Sequence, residues 1–168
     1  MKVTMRNYKA LAVPSSVWRK PSHFIAFGFG SGAMPFAPGT FGTLMAIPFY
    51  LALSLLLPNT LYLIAVIFIT LASMWLCDIV TNEIKVQDHS GMCLDEIVGY
   101  LVTMCYAPHG WQWILLGFVL FRLFDIWKPW PISYVDQKVH GGIGIILDDV
   151  LAGIVSLIIL QIIKRLVI

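Results

Sequence analysis

The chain has 168 residues, of which 59% are hydrophobic and 12% are charged, and its mean hydropathy is +0.85. Soluble domains carry about 25% charged residues, so this composition excludes an ordinary soluble domain and predicts a single domain embedded in a membrane. The net charge of +2 is too small to indicate a nucleic-acid-binding protein.

Residues 1–22 are predicted to form a basic arm on the cytoplasmic side of the membrane, ahead of one membrane-embedded domain at 23–168. The arm holds five of the eleven basic residues and has no apolar stretch of the kind that a cleavable signal peptide needs. The five are Lys2, Arg6, Lys9, Arg19 and Lys20.

Five apolar runs follow the arm, and they predict an all-α fold. They are residues 40–57, 61–77, 94–107, 111–126 and 147–168. Since a helix rises about 1.5 Å per residue, the two first runs and the last cover most of a hydrocarbon core about 30 Å thick. The third and fourth runs are shorter, so we expect a hairpin that is tilted or only partly crosses. The predicted architecture is a small polytopic bundle of four to five membrane-embedded helices, with a polar loop at 78–91.

The basic residues predict the orientation of the bundle, because cytoplasmic loops are enriched in Lys and Arg. With the arm inside, the segments 78–93 and 127–146 also face the cytoplasm, and all nine acidic residues lie on or near that side. Lys164 and Arg165 then fall on the opposite side, which counts against this orientation unless the last helix ends early or is tilted.

Carboxylates recur where the predicted helices meet the cytoplasmic edge. Asp95 and Glu96 begin the third run, Asp125 lies near the end of the fourth, and Asp148 and Asp149 begin the last. Carboxylates near hydrocarbon are costly unless they have a partner or a function. Because Mg²⁺ prefers oxygen ligands and keeps substrate phosphates in its shell, these five residues are candidate magnesium ligands.

Candidate phosphate-binding residues lie beside them. Arg122, Asp125 and Lys128 follow one another at i+3 spacing on one helix face, and a guanidinium or an ammonium group binds phosphate oxygens well. Thr40 is a candidate N-cap, and the N–H groups of residues 40–43 are expected to be free for an anion, which adds Thr43 to the set. Metal, cations and phosphate together indicate phosphoryl transfer or phosphate-ester hydrolysis.

Simpler interpretations of the same residues stay open. Acidic residues at helix N-termini stabilise the helix dipole, and Arg122 and Asp125 form a structural ion pair in such an interpretation. Four other acidic residues are expected to be solvated loop charges, namely Asp78, Glu83, Asp88 and Asp136. The three cysteines lack the spacing of a zinc site. No cysteine-phosphatase, D-x-D-x-[TV] or P-loop motif is present, so a water molecule activated by a metal is the simplest attacking group.

Four blocks of the sequence resemble the bacterial phosphatidylglycerophosphatase A family. They are GFGSGAMPFAPGTFGTL, DEIVG, FRLFDIWKPWPI and HGGIGIILDDVLAG, which occur in this order and lie within residues 23–155. The resemblance implies a multi-pass, magnesium-dependent phosphatase of the bacterial inner membrane that converts phosphatidylglycerophosphate into phosphatidylglycerol and phosphate.

The resemblance also implies an active site, which the bias of the basic residues places at the cytoplasmic edge. It assigns to that site the residues Asp95, Glu96, Asp125, Lys128, Asp148 and Asp149. Asp95, Glu96, Asp125 and Asp149 are the residues that we expect to be catalytic. A non-enzymatic transporter subunit or lipid-binding scaffold with structural carboxylates is the alternative.

Overall fold

The computed structural model describes residues 13–86 and 89–167, so that residues 1–12 of the predicted arm lie outside the described residues. Within those ranges there are seven α-helices and no strand, and the prediction of an all-α membrane protein is confirmed. The helices are α1 (Pro21–Ala26), α2 (Pro38–Leu56), α3 (Asn59–Ile84), α4 (Leu94–Thr103), α5 (Trp111–Trp127), α6 (Ile132–Lys138) and α7 (Gly141–Val167).

Three of the described helices are long and apolar enough to cross a membrane, namely α2, α3 and α7. Helix α4 has 10 residues and is therefore about 15 Å long, which is half of a hydrocarbon core. Helix α5 has 17 residues and runs back beside it. Residues 94–127 therefore form the predicted hairpin. Its turn lies beside the far end of α7, where the Lys164 ammonium group donates to the Tyr106 carbonyl at 3.1 Å.

The end of α3 differs from the prediction, because the helix continues past the apolar run that was predicted to end at residue 77. Helix α3 extends to Ile84, so Asp78 and Glu83 lie on a helix and not in a polar loop. The Asp78 carboxylate accepts a hydrogen bond from the Gly142 N–H at 3.2 Å and so helps to satisfy the start of α7. Glu83 forms ion pairs with Lys20 and His23. Both carboxylates are exposed, as expected of solvated charges, but each also binds a partner across the bundle. Asp88, the third of these predicted loop charges, lies outside the described residues.

The part of the predicted arm that the structure describes packs on this end of α3. Val17 is fully buried in a short 3-10 helix, and Lys20 and His23 reach Glu83 from the start of α1. The predicted boundary at residue 22 falls inside α1.

Helices α4 and α7 run in the same direction in close contact. A Cβ at Gly99 would meet the Phe121 ring and lie 2.8 Å from the carbonyl oxygen of Asp149, so the two backbones nearly touch. One turn further on, the Thr103 hydroxyl group donates to the Gly99 carbonyl at 3.0 Å and lies 3.5 Å from the Gly153 carbonyl. Small residues allow such approach between membrane helices. This contact sets the start of α4 beside the acidic turn of α7.

Candidate functional site

Four helices bring their polar ends together at one end of the bundle. They are the starts of α2 and α4, the end of α5 and the third turn of α7. At the centre, carboxylate oxygens of Asp95, Glu96 and Asp149 all lie within 4.8 Å of one another. Arg122, Asp125, Lys128 and Asp148 surround this acidic triad. The carboxylates predicted from separate helices therefore form one cluster.

The triad has more negative charge than the surrounding hydrogen bonds satisfy. Within residues 13–86 and 89–167, Glu96 Oε2 and Asp149 Oδ2 are buried and have no hydrogen-bond partner, and the same is true of Asp148 Oδ1 beside the triad. Buried polar atoms are normally paired. Burying three carboxylates this close together disfavours their charged forms unless a cation lies among them. A cation would balance this charge.

The position of Asp148 and Asp149 bears on the simplest alternative. Helix α7 begins at Gly141, not at Leu147, so both residues lie two turns inside the helix rather than at its start. The helix-dipole effect falls off within the first turn, so a dipole role does not explain them. Asp95 and Glu96 are in the first turn of α4, where that effect contributes.

Arg122 binds carboxylates on two helices. Its Nη1 atom donates to Asp125 Oδ2 one turn along α5 and lies 3.9 Å from Glu96 Oε1 on α4. All three side chains are at most 15% exposed. The ion pair expected in the simpler interpretation is present, but it also reaches the triad, so Arg122 fixes the Glu96 carboxylate relative to α5.

Lys128 connects three helices at the same end of the bundle. It follows α5 in a left-handed conformation, with φ 44° and ψ 57°, and its ammonium group donates to Asp148 at 2.6 Å and to Asp136 at 2.8 Å. Asp136 lies on α6 and is not the free loop charge predicted from the sequence. The sequence did not predict this contact, because the two residues are eight positions apart and do not lie on one helix.

The predicted anion site at the start of α2 was based on a wrong helix start. The N-cap is Ala37 and Pro38 occupies the first turn, so Thr40 lies inside the helix. The N–H groups of Thr40 and Phe41 both donate to the Ala37 carbonyl, at 2.9 and 3.3 Å. Thr43 is fully buried, and its hydroxyl group donates to the Gly39 carbonyl at 2.9 Å. This turn therefore lacks the free N–H groups of Thr40 and Phe41 on which the anion site was based.

Gly39 matters for the site because there is no room for a side chain at this position. A Cβ at this position would collide with Glu96 Oε1 and would lie 3.0 Å from Arg122 Nη1. The start of α2 is thus a wall directly behind the Glu96–Arg122 contact. The sequence analysis missed this role, because it placed Gly39 just before the predicted helix and not within it.

We expect Gly39→Ala to reduce activity strongly, because the new methyl group must push the Glu96 carboxylate out of the triad. The colliding atoms are the ends of two long side chains, so we expect little loss of stability, whereas a displacement of about 1 Å at a reacting site can cost about 10²-fold in rate. The measurement is phosphate release per folded protein in detergent. Leu44→Ala, on the exposed side of α2, should keep its activity. Equal activity of both variants would contradict the wall assigned to Gly39.

Comparisons with known proteins agree with the resemblance in the sequence blocks. A family model described as Phosphatidylglycerophosphatase A matches residues 24–164. The chain is 44% identical over 151 residues to Phosphatidylglycerophosphatase A of Escherichia coli (strain K12), covering 89% of this chain and 87% of that protein. It is 43% identical over 140 residues to the protein of the same name from Haemophilus influenzae, covering 83% and 86%.

A third relative carries a different name. It is a Putative phosphatidylinositol-3-phosphatase of Bacteroides thetaiotaomicron, 38% identical over 148 residues, covering 82% of this chain and 90% of that protein. No solved structure matches the chain. All three names refer to removal of phosphate from a phospholipid headgroup.

Proposed function

The chain belongs to the phosphatidylglycerophosphatase A family, and from this premise we propose that it hydrolyses phosphatidylglycerophosphate to phosphatidylglycerol and inorganic phosphate in phospholipid biosynthesis. The observation that carries the proposal is the acidic triad of Asp95, Glu96 and Asp149 beside the Lys128 ammonium group. These groups lie at one end of a membrane bundle, where a lipid headgroup can reach them while its acyl chains stay in the bilayer.

We propose that the triad holds Mg²⁺. The fit is supported by the buried carboxylate oxygens of Glu96 and Asp149 that lack a partner among the described residues, and by the preference of Mg²⁺ for carboxylate oxygens. A bound magnesium ion would stabilise negative charge on the phosphoryl oxygens during hydrolysis. Asp125 and Asp148 were also predicted as ligands. Each has one oxygen that accepts a hydrogen bond from a basic side chain, Arg122 or Lys128, so we assign them to the outer part of the site.

The chain's own residues then have distinct roles in hydrolysis. Lys128 binds a phosphate oxygen, and Arg122 orients Asp125 and Glu96. We infer that Asp125 accepts a proton from the attacking water, since Arg122 holds it beside the triad. The water oxygen bonds to phosphorus, the bond from phosphorus to the glycerol oxygen breaks, and that oxygen takes up a proton from solvent water. Asp125 returns the proton that it accepted to solvent. Phosphatidylglycerol and phosphate leave.

One assay tests both the function and the metal. Purified protein in detergent is given phosphatidylglycerophosphate with Mg²⁺ or with excess EDTA, and released phosphate is measured. We expect release with Mg²⁺ and none in EDTA. Release in both conditions would contradict the metal but keep the phosphatase. No release in either would contradict the function and favour the transporter-subunit or scaffold alternative. Phosphatidylinositol 3-phosphate is a further arm, because a relative carries that name.

We propose that the site faces the cytoplasm from the bacterial inner membrane. Support comes from Arg19 and Lys20 of the arm and from Lys85, Lys128 and Lys138, which lie at the same end as the site. Lys164 and Arg165 lie at the other end of α7, which continues to Val167, and these two charges count against the orientation.

The orientation predicts the result of single-cysteine labelling. With Cys77, Cys93 and Cys105 replaced, a cysteine at exposed position 138 should react with an impermeant reagent only after the cells are opened. A cysteine at position 109, in the turn between α4 and α5, is the matched control for position 138 at the opposite end of the bundle. Labelling of position 138 on intact cells would reverse the orientation.

A further inference from the structure

Lys128 depends on other residues for its position. It is the C-cap of α5, and its backbone N–H donates to the Phe124 carbonyl at 2.9 Å, but this bond does not fix the direction of the long side chain. A lysine side chain has about 2 kcal/mol of rotamer entropy, and this one is 30% exposed. An ammonium group that must meet a phosphate at a fixed point therefore needs contacts that hold it there.

Two carboxylates hold it from opposite sides of the site. Asp148, with an 8% exposed side chain, approaches from the buried side on α7, and Asp136, with 43% exposed, approaches from the solvent side on α6. An ammonium group has three N–H donors. Within residues 13–86 and 89–167 these are its two hydrogen-bond partners, so one donor is left for a phosphate oxygen.

Helix α6 is itself anchored, which gives the Asp136 carboxylate a defined place. Ile132 at its start is 1% exposed and packs in the main core. Helix α6 follows α5 and precedes α7 along the chain, and it packs on α7. Asp136 is one turn after Ile132, so its position follows from the packing of the same short helix.

We propose that Asp136 is a positioning residue, which together with Asp148 holds the Lys128 ammonium group where it binds the substrate phosphate. The proposal rests on the proposed function, because it needs Lys128 to contact a phosphomonoester. A purely structural ion pair at such an exposed place has little effect, whereas a small displacement of a phosphate contact has a large effect on rate.

The test is a double-mutant cycle on turnover. We expect Asp136→Asn to lower kcat about five- to tenfold with little change in KM, less than the loss from Lys128→Ala. In the Lys128→Ala background, Asp136→Asn should have no further effect, because its target is gone. Long incubations with quantified lipid product keep the slow variants measurable. Asp136→Glu should recover part of kcat.

Glu83→Gln is the matched control, since Glu83 is 40% exposed and also binds a lysine, but at α1. It should leave kcat unchanged, and the unfolding midpoint of each variant is recorded beside its rate. Wild-type kcat in Asp136→Asn, or an equal loss in both backgrounds, would overturn the positioning role while the proposed function stands. A wild-type protein that releases no phosphate from phosphatidylglycerophosphate would instead overturn the proposed function.

Discussion

Replacing Asp149 with asparagine is expected to reduce magnesium-dependent phosphate release by at least about 100-fold, because outer-sphere partners of a metal already contribute about 10- to 100-fold. The amide keeps the shape of the side chain but removes one of three charges that lie within 4.8 Å of one another. Mg²⁺ should raise the unfolding midpoint of the wild-type protein, since a ligand that binds only the folded state stabilises it. The variant should show little or no such shift.

Asp78→Asn is the control for this change. Asp78 is another carboxylate at the same end of the bundle, but it binds the Gly142 N–H and not the triad, and asparagine keeps an oxygen that can accept this bond. The control should keep both its activity and its shift with Mg²⁺. If Asp149→Asn retained the shift, the triad would not be the metal site, whatever happened to the rate.

Replacing Lys128 with alanine should lower turnover about 10²- to 10³-fold, the loss seen when one donor aimed at developing charge is removed. The concentration of Mg²⁺ that gives half-maximal activity should stay close to the wild-type value, because Lys128 is not a metal ligand. A lower turnover with an unchanged Mg²⁺ requirement would distinguish the role of Lys128 from that of Asp149, because replacing Asp149 should lower both Mg²⁺ binding and turnover. The measurement is phosphate release over a magnesium titration.

Lys20→Ala serves as the control, since Lys20 is a lysine that binds a carboxylate away from the site. Near wild-type turnover in Lys128→Ala would mean that the contacts of Lys128 with Asp136 and Asp148 are structural. A loss of stability equal to the loss of activity would lead to the same conclusion, so activity is normalised to folded protein.

The sequence was sufficient for the helical architecture and for the carboxylates of the site. Apolar runs bounded by Pro, Gly and charged residues predicted α2, α4 and α5 closely, and the clustering of Asp95, Glu96 and Asp149 was predicted from their place at the ends of apolar runs. Hydropathy marks where a helix is surrounded by lipid, but it does not mark where the helix ends. Helices α3 and α7 therefore extended further than predicted, and Asp148 and Asp149 moved two turns inside α7.

Contacts between distant residues were beyond the sequence for a different reason. The Lys128–Asp136 bond depends on how α6 turns back over the site, and the wall at Gly39 depends on how closely α2 approaches Glu96. The start of α2 was misjudged because a threonine was preferred as N-cap, whereas Ala37 takes a left-handed conformation just before Pro38. No local sequence preference predicts this turn, since alanine rarely adopts the left-handed conformation.

The closeness of α4 and α7 has a consequence for how the protein tolerates change. Helix α4 carries two of the three triad carboxylates, and its register against α7 is set where Gly99 meets the backbone at Asp149. Two of the three carboxylates are on α4 and the third is on α7. A shift of one helix along the other would therefore separate them without changing any of the three residues. The geometry of the proposed metal site thus depends on the absence of two methyl groups, at Gly99 and Gly153, where α4 and α7 meet.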